Sequence, residues 1–225
     1  MTELNVRAWA GLAALVLTLA CFLFLPAWTV CYWQAWVFLA LFTLMTSAIT
    51  MYLMKHDPEL LERRVKAGPV SENDPIQKLI QSLASLSFVL IFLVSALDHR
   101  WDWSRTGTLL TVLGEVLVGI GLLIVFLVFK ENTFTSATIE VGAKQKTVST
   151  GPYALVRHPM YAGAFVMLVG VPLSLGSWWG LLAVLPLMGV ILWRLFEEEE
   201  YLRKNLDGYL GYQSTVKYRL LPWVW

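Results

Sequence analysis

Six long apolar stretches decide which folds are open to this chain. They run roughly Ala8–Leu25, Gln34–Met54, Leu79–Leu97, Gly107–Phe129, Ala162–Leu175 and Trp179–Phe196. A bilayer core calls for about 20 apolar residues of helix, with a range of about 17–25. All but the fifth stretch meet that length. The fifth is short and interrupted by Pro172, so it is predicted to form a tight helical hairpin with the sixth across Gly176 and Ser177. Backbone polar groups cannot go unpaired in lipid, which leaves helices or a closed barrel. Barrel strands are about ten residues long and alternate in polarity. These stretches are longer and continuously apolar. The expected fold is therefore all-α, a polytopic membrane bundle of five to six transmembrane helices.

Composition agrees. Hydrophobic residues make up 57% of the 225 and charged residues 15%, against about a quarter charged in soluble domains. An ordinary soluble enzyme, a disordered chain and a secreted disulfide scaffold are excluded. With 17 basic and 16 acidic residues the charges nearly cancel, so no nucleic-acid partner is expected. Cys21 and Cys31 lack nearby His or acidic partners and read as inert apolar residues. No metal site is expected. A cleaved signal peptide over the first stretch is disfavoured because the apolar run continues past Cys21.

Orientation follows from the basic residues. With six spans and the N-terminus inside, 15 of the 17 Lys and Arg fall on the inner side, leaving Arg100 and Arg105 outside. That bias predicts both termini in the cytoplasm. Trp28, Tyr32, Trp33, Trp101, Trp103, Trp178 and Trp179 then form an aromatic belt at the outer boundary.

Two functional stretches emerge. Residues 1–129 hold the first four spans and an interfacial loop at 55–78. There Asp57–Pro58–Glu59 predicts a capped helix start, with Leu60, Leu61 and Val65 on lipid and Arg63, Arg64 and Lys66 towards headgroups. Residues 130–225 hold a long inner loop, the helical hairpin and a tail rich in aromatic residues. Short β-prone runs at Thr138–Val141 and Lys146–Ser149 predict a small hairpin in that loop.

Two clusters carry chemistry. In GPYALVRHPMYAG, residues 151–163, Pro159 pushes His158 out of helical geometry and suits the first turn of a helix. Arg157, His158 and Tyr161 gather where that helix begins, an end that attracts negative charge. In WRLFEEEEYL, residues 193–202, Arg194 and Glu198 share one helix face four residues apart. Arg194 stands where the apolar stripe gives way to charge, and ionisable residues at that depth face a cavity or a partner. Glu199 and Glu200 read as a solvated charge run. Glu115, about 12 Å from the outer end at 1.5 Å per residue, reads as an interhelical hydrogen bond, with Gly114, Gly119 and Gly121 allowing a helix to approach.

The run R-H-P-x-Y-x-G at 157–163 resembles the signature of isoprenylcysteine carboxyl methyltransferases and their prokaryotic relatives. So do E-E-x-x-L at 198–202, Gly-Tyr-x-x-Tyr at 208–212, VKYRLLPWVW at 216–225, and, upstream, Asn132, Phe134, Ser136 and TVSTGPY at 147–153. The likeness covers about residues 130–225, and phospholipid N-methyltransferases and a branch of membrane sterol reductases carry related C-terminal halves. It implies methyl transfer from S-adenosylmethionine, held in a cytosolic C-terminal region. Carried over to this chain, it implies donor contacts from Tyr153, His158, Pro159, Tyr161, Glu197 and Glu198, with Gly163 allowing close approach. It places Arg194 near the transferred methyl, and Arg194, Arg157 and Glu198 become the candidate catalytic residues. The implied partners are membrane lipids and a lipophilic or prenylated small-molecule acceptor. The reference activity is carboxyl O-methylation of an isoprenylcysteine-like substrate. Aminophospholipid N-methylation is the near alternative and a nicotinamide-dependent sterol-type reductase the distant one. The compact chain points to a bacterial or archaeal cell membrane before the endoplasmic reticulum.

Overall fold

The computed structural model describes residues 3–65, 72, 74–104, 106–135 and 145–225. Among them the chain forms eight α-helices and no strand. These are α1 (Glu3–Ala27), α2 (Trp33–His56), α3 (Pro58–Val65), α4 (Pro75–Trp101), α5 (Thr108–Glu131), α6 (Pro159–Ser174), α7 (Trp179–Asn205) and α8 (Tyr209–Thr215). A 3-10 turn at Gly151–Ala154 precedes α6. Helices α1, α2, α4, α5 and α7 are long and apolar enough to cross a membrane, and α6 is a shorter apolar helix of 16 residues. The expected polytopic bundle is what forms. The hairpin expected about Gly142 lies largely outside the described residues, and residues 145–149 carry no strand.

Local signals explain the ends. Asp74 accepts a hydrogen bond from the Ile76 N–H at 2.7 Å, and Pro75 takes the first helical position. Helix α4 therefore starts before its apolar stretch does. Asp57 caps α3 in the same way, accepting from the Leu60 N–H at 2.9 Å.

A core of Leu19, Leu23, Phe38, Phe92, Leu168 and Val184 joins α1, α2, α4, α6 and α7. The α5–α6 contact is closer than any side chain permits. A Cβ on Gly121 would stand 2.6 Å from the Gly163 carbonyl oxygen, and one on Gly170 would stand 2.7 Å from the Val118 nitrogen. Gly119, expected in this contact, faces elsewhere: its Cβ would meet only the Met45 sulfur at 3.8 Å. Gly121→Ala is expected to cost about 1–3 kcal/mol of overpacking, while Gly119→Ala is neutral. Thermal unfolding of both variants in detergent checks this.

The bundle has two differently built ends. At one, Asp98 accepts from the Ser104 N–H and the Ser104 hydroxyl, each at 2.7 Å, and from the Ser177 hydroxyl. Trp28, Trp33, Trp101, Trp103, Trp178 and Trp179 are exposed around this end. Tyr32 departs from the expected belt. It is fully buried, its hydroxyl donates to the Leu175 carbonyl at 2.7 Å, and its ring stacks on His99. A phenol with an apolar body and a nearby carbonyl is satisfied inside the bundle. Glu115 makes no interhelical hydrogen bond among the described residues: both carboxylate oxygens are buried and unpartnered. The α5–α6 pairing rests on glycine contacts instead.

The opposite end holds α3, the described residues of the α5–α6 connection, α8 and the tail. Leu60 and Leu61 of α3 pack with Ala8, Leu53 and Phe129. Arg63 donates to the Thr133 carbonyl. These contacts dock α3 against the bundle.

Candidate functional site

The tail is stitched to the start of α6. His158 caps that helix with φ −123° and ψ 63°, outside helical geometry as Pro159 demands. This turns the Arg157 and His158 N–H groups outward. They donate to the Tyr218 and Arg219 carbonyls, both at 2.9 Å. The Tyr212 hydroxyl donates to the Tyr153 carbonyl at 2.8 Å, and the Thr147 hydroxyl to the Asp207 carbonyl at 2.8 Å.

Glu199 holds this assembly from below. Its side chain is 3% exposed and meets Arg157 Nε at 2.9 Å, His158 Nε2 at 3.2 Å and Arg219 Nε at 3.1 Å. The expectation of a solvated charge run fails for Glu199 and holds for the exposed Glu200, which pairs with Lys204 at 2.8 Å. With Arg203 at 3.8 Å on the same helix, four basic groups converge on Glu199, and burial of one carboxylate is tolerated when its oxygens are so satisfied.

Above this clamp lies a cavity of ≈ 390 Å³, within the range of roughly 300–1,000 Å³ for small-molecule sites. Tyr153, Arg157, His158, Pro159, Tyr161, Arg194 and Glu198, all singled out from the sequence, line it together. The Tyr161 hydroxyl donates to Glu198 Oε2 at 2.5 Å. The Tyr153 hydroxyl accepts from Asn132 Nδ2 at 3.1 Å. Burial pushes the Tyr153 phenol up to about 12, against the opposing pull of that hydrogen bond, so it remains a neutral donor at physiological pH.

Two expected site residues lie elsewhere. Glu197 is outside the cavity lining and accepts from Trp193 Nε1 at 3.2 Å. Gly163 is also outside it and packs against α5, where a Cβ would press on Ile124. Arg157, expected to orient an acceptor, lines the cavity but is paired with Glu199.

Other lining residues come from the first half of the chain. Arg64 of α3 lies over the Phe129 ring, 5.0 Å from its centroid. Ile80, Gln81 and Ala84 come from α4. Arg194 pairs with Glu72 at 3.1 Å, and Gln81 Nε2 donates to the same Glu72 oxygen at 2.8 Å. The reading of Arg64 as a headgroup-facing cation missed its register. Arg64 follows Leu60 by four residues and Leu61 by three, so it shares their buried face. Glu72 had no periodic pattern around it to announce its burial.

Residues 109–207 match the protein-family model described as Phospholipid methyltransferase. That match contains the Arg157–Tyr161 and Arg194–Glu199 clusters and ends before α8. The chain is also similar to Protein-S-isoprenylcysteine O-methyltransferase B of Arabidopsis thaliana. They are 27% identical over 154 residues, which is 65% of this chain and 73% of that relative. Fold and likeness together define an integral-membrane methyltransferase, related to both groups, that uses S-adenosylmethionine.

The cavity suits such a donor. It carries an ammonium, a carboxylate and a sulfonium. Glu198 offers a carboxylate for the ammonium, and Tyr153, Tyr209 and Tyr212 add aromatic residues, a type that attracts cations, to the lining. Lys146 offers positive charge for the carboxylate.

Proposed function

We propose that this protein methylates a lipid-associated acceptor, with an aminophospholipid headgroup amine as the first reading. One observation carries it: the order of side chains along α7. Val190 and Ile191, then Arg194, then Glu198, then Leu202 line the cavity in succession, over about 18 Å at 1.5 Å per residue. From Val190 to Glu198 the lining thus passes from apolar side chains through a cation to a carboxylate. A membrane amphiphile has the same sequence of parts: tail, anionic group, reacting group.

Bound S-adenosylmethionine supplies an electrophilic methyl on a positively charged sulfur. The chain's own residues align and desolvate. Val190, Ile191, Ile80 and Ala84 receive the acyl chain. Arg194 orients the phosphate through charge-assisted hydrogen bonds. An ammonium must lose its proton before it attacks. Glu198, already accepting from Tyr161, is the carboxylate placed to take that proton. The clamp about Glu199 fixes the tail against the start of α6, beside Arg157 and His158 of the lining.

A second reading, carboxyl O-methylation of a prenylcysteine-like acceptor, is favoured by the likeness to the plant enzyme. In it the carboxylate is already nucleophilic and no base is needed, so Arg194 alone orients it. In either case the site end faces the cytosol, in keeping with the side that holds 15 of the 17 basic residues. The 130–225 stretch supplies most of the cavity wall and the first stretch closes it through α3 and α4.

The test is incubation of purified protein with radiolabelled donor and a panel of aminophospholipids, prenylcysteine analogues and fatty acids. Label in phosphatidylethanolamine supports the first reading. Base-labile label in the prenylcysteine supports the second. Label in none of them, with the donor bound, overturns both.

A further inference from the structure

Arg64 and Arg194 are two arginines that line one cavity. They come from helices far apart in sequence, α3 and α7. Burial pulls the Arg64 guanidinium down from its usual value; the neighbouring Tyr161 opposes that pull and Arg194 adds to it. The charge is nonetheless retained, because arginine does not lose its proton in proteins.

The carboxylates around the cavity are differently committed. Glu199 is taken by Arg157, His158 and Arg219. Glu198 accepts from Tyr161. Glu72 is the carboxylate on Arg194, and it comes from a connecting segment rather than from a membrane helix. It does not itself line the cavity, but it bonds two residues that do, Arg194 and Gln81.

We propose that Arg64 and Arg194 form a subsite for an anionic oxygen group of the acceptor, a phosphodiester or a carboxylate, and that Glu72 is an internal competitor for Arg194. This rests on the lipid-acceptor reading above and adds the residues that select within it. Position argues for the acceptor rather than the donor. Arg194 lies one helical turn to the apolar side of Glu198, next to Val190 and Ile191, whereas Tyr209 and Tyr212 lie in the tail. Helix α3 can hold Arg64 steady because Leu60 and Leu61 are buried beside it and Phe129 lies under the guanidinium. An acceptor anion held by both arginines takes over the hydrogen bond that Arg194 now gives to Glu72.

The experiment measures binding of dodecyl phosphate to the full chain in uncharged detergent, with dodecanoate and dodecyl trimethylammonium as the other arms. Arg64→Gln is expected to weaken dodecyl phosphate roughly tenfold, the scale of one charge-assisted hydrogen bond. S-adenosylhomocysteine binding should stay within about twofold of wild type. Glu72→Gln keeps an acceptor oxygen for Arg194 and removes the charge, so it should tighten dodecyl phosphate severalfold. A purely structural Glu72 predicts the opposite sign. Stronger binding of the phosphate than of dodecanoate assigns the subsite to a phosphodiester, and the reverse assigns it to a carboxylate. The proposal is overturned if Arg64→Gln leaves both anions unaffected, if it weakens the trimethylammonium equally, or if it weakens S-adenosylhomocysteine as much as the anions. It is also overturned if Glu72→Gln loosens the anion. These readouts need no turnover, so failure of the acceptor panel and failure of the subsite are separate results.

Discussion

Glu199→Ala is expected to abolish methyl transfer and to free the C-terminal segment, whereas Glu200→Ala leaves both intact. The neighbours differ by burial and by partners. Glu200 is half exposed and meets Lys204 and Arg203 in water, where such pairs are worth about 0–1 kcal/mol. Glu199 is buried and meets Arg157, His158 and Arg219. Removing it leaves the buried Arg157 charge uncompensated, at a cost of about 3–5 kcal/mol. The loss falls on the tail, because Arg219 and the backbone pairing at Tyr218 and Arg219 stitch residues 157–158 to it. Limited proteolysis should therefore cut after α7 in Glu199→Ala at protease levels that spare the wild type. Glu199→Gln keeps two hydrogen-bonding atoms and should show an intermediate phenotype. Equal protease resistance of Glu199→Ala and Glu200→Ala would remove the clamp from the account of the site.

Much of this architecture is legible in the residues. Long apolar runs define α1, α2, α4, α5 and α7 because lipid forbids unpaired backbone. The pairing of Arg194 with Glu198 on one face follows from helical spacing, and both face the cavity. What was not legible depends on where faces point. Leu195 and Glu199 share a buried face of α7, but in a helix apolar all round no periodicity marks which face is inside. Gly119 and Gly121 look alike in sequence, yet only one meets α6. Tyr32 sits among belt tryptophans, and its burial depends on a carbonyl 143 residues away. Arg64 could have been read: its register with Leu60 and Leu61 marks the buried face of α3. Glu72 could not, since nothing local distinguishes it from a solvated loop carboxylate.

Arg194→Ala is expected to lower turnover by about 10²–10³-fold, the scale of losing one preorganised charge-stabilising group, while S-adenosylhomocysteine still binds. Glu198→Ala should instead weaken donor binding together with turnover, since it is the carboxylate proposed for the donor ammonium and the partner of Tyr161. The two residues are one turn apart, so a general collapse of the helix end would affect both readouts in both variants. The expected contrast separates that outcome from distinct roles. Arg194→Ala carries its own complication, because it leaves Glu72 buried and unpaired by Arg194. Combining it with Glu72→Gln removes that penalty. If the double variant regains stability but not turnover, the lost rate belongs to Arg194's action on the acceptor. Recovery of turnover in the double variant would make Arg194 only a counter-ion for Glu72, and the orienting role would have to pass to Arg64. Arg194→Lys should restore a small part of the rate, because a lysine keeps the charge but cannot present two parallel donors to an anionic group.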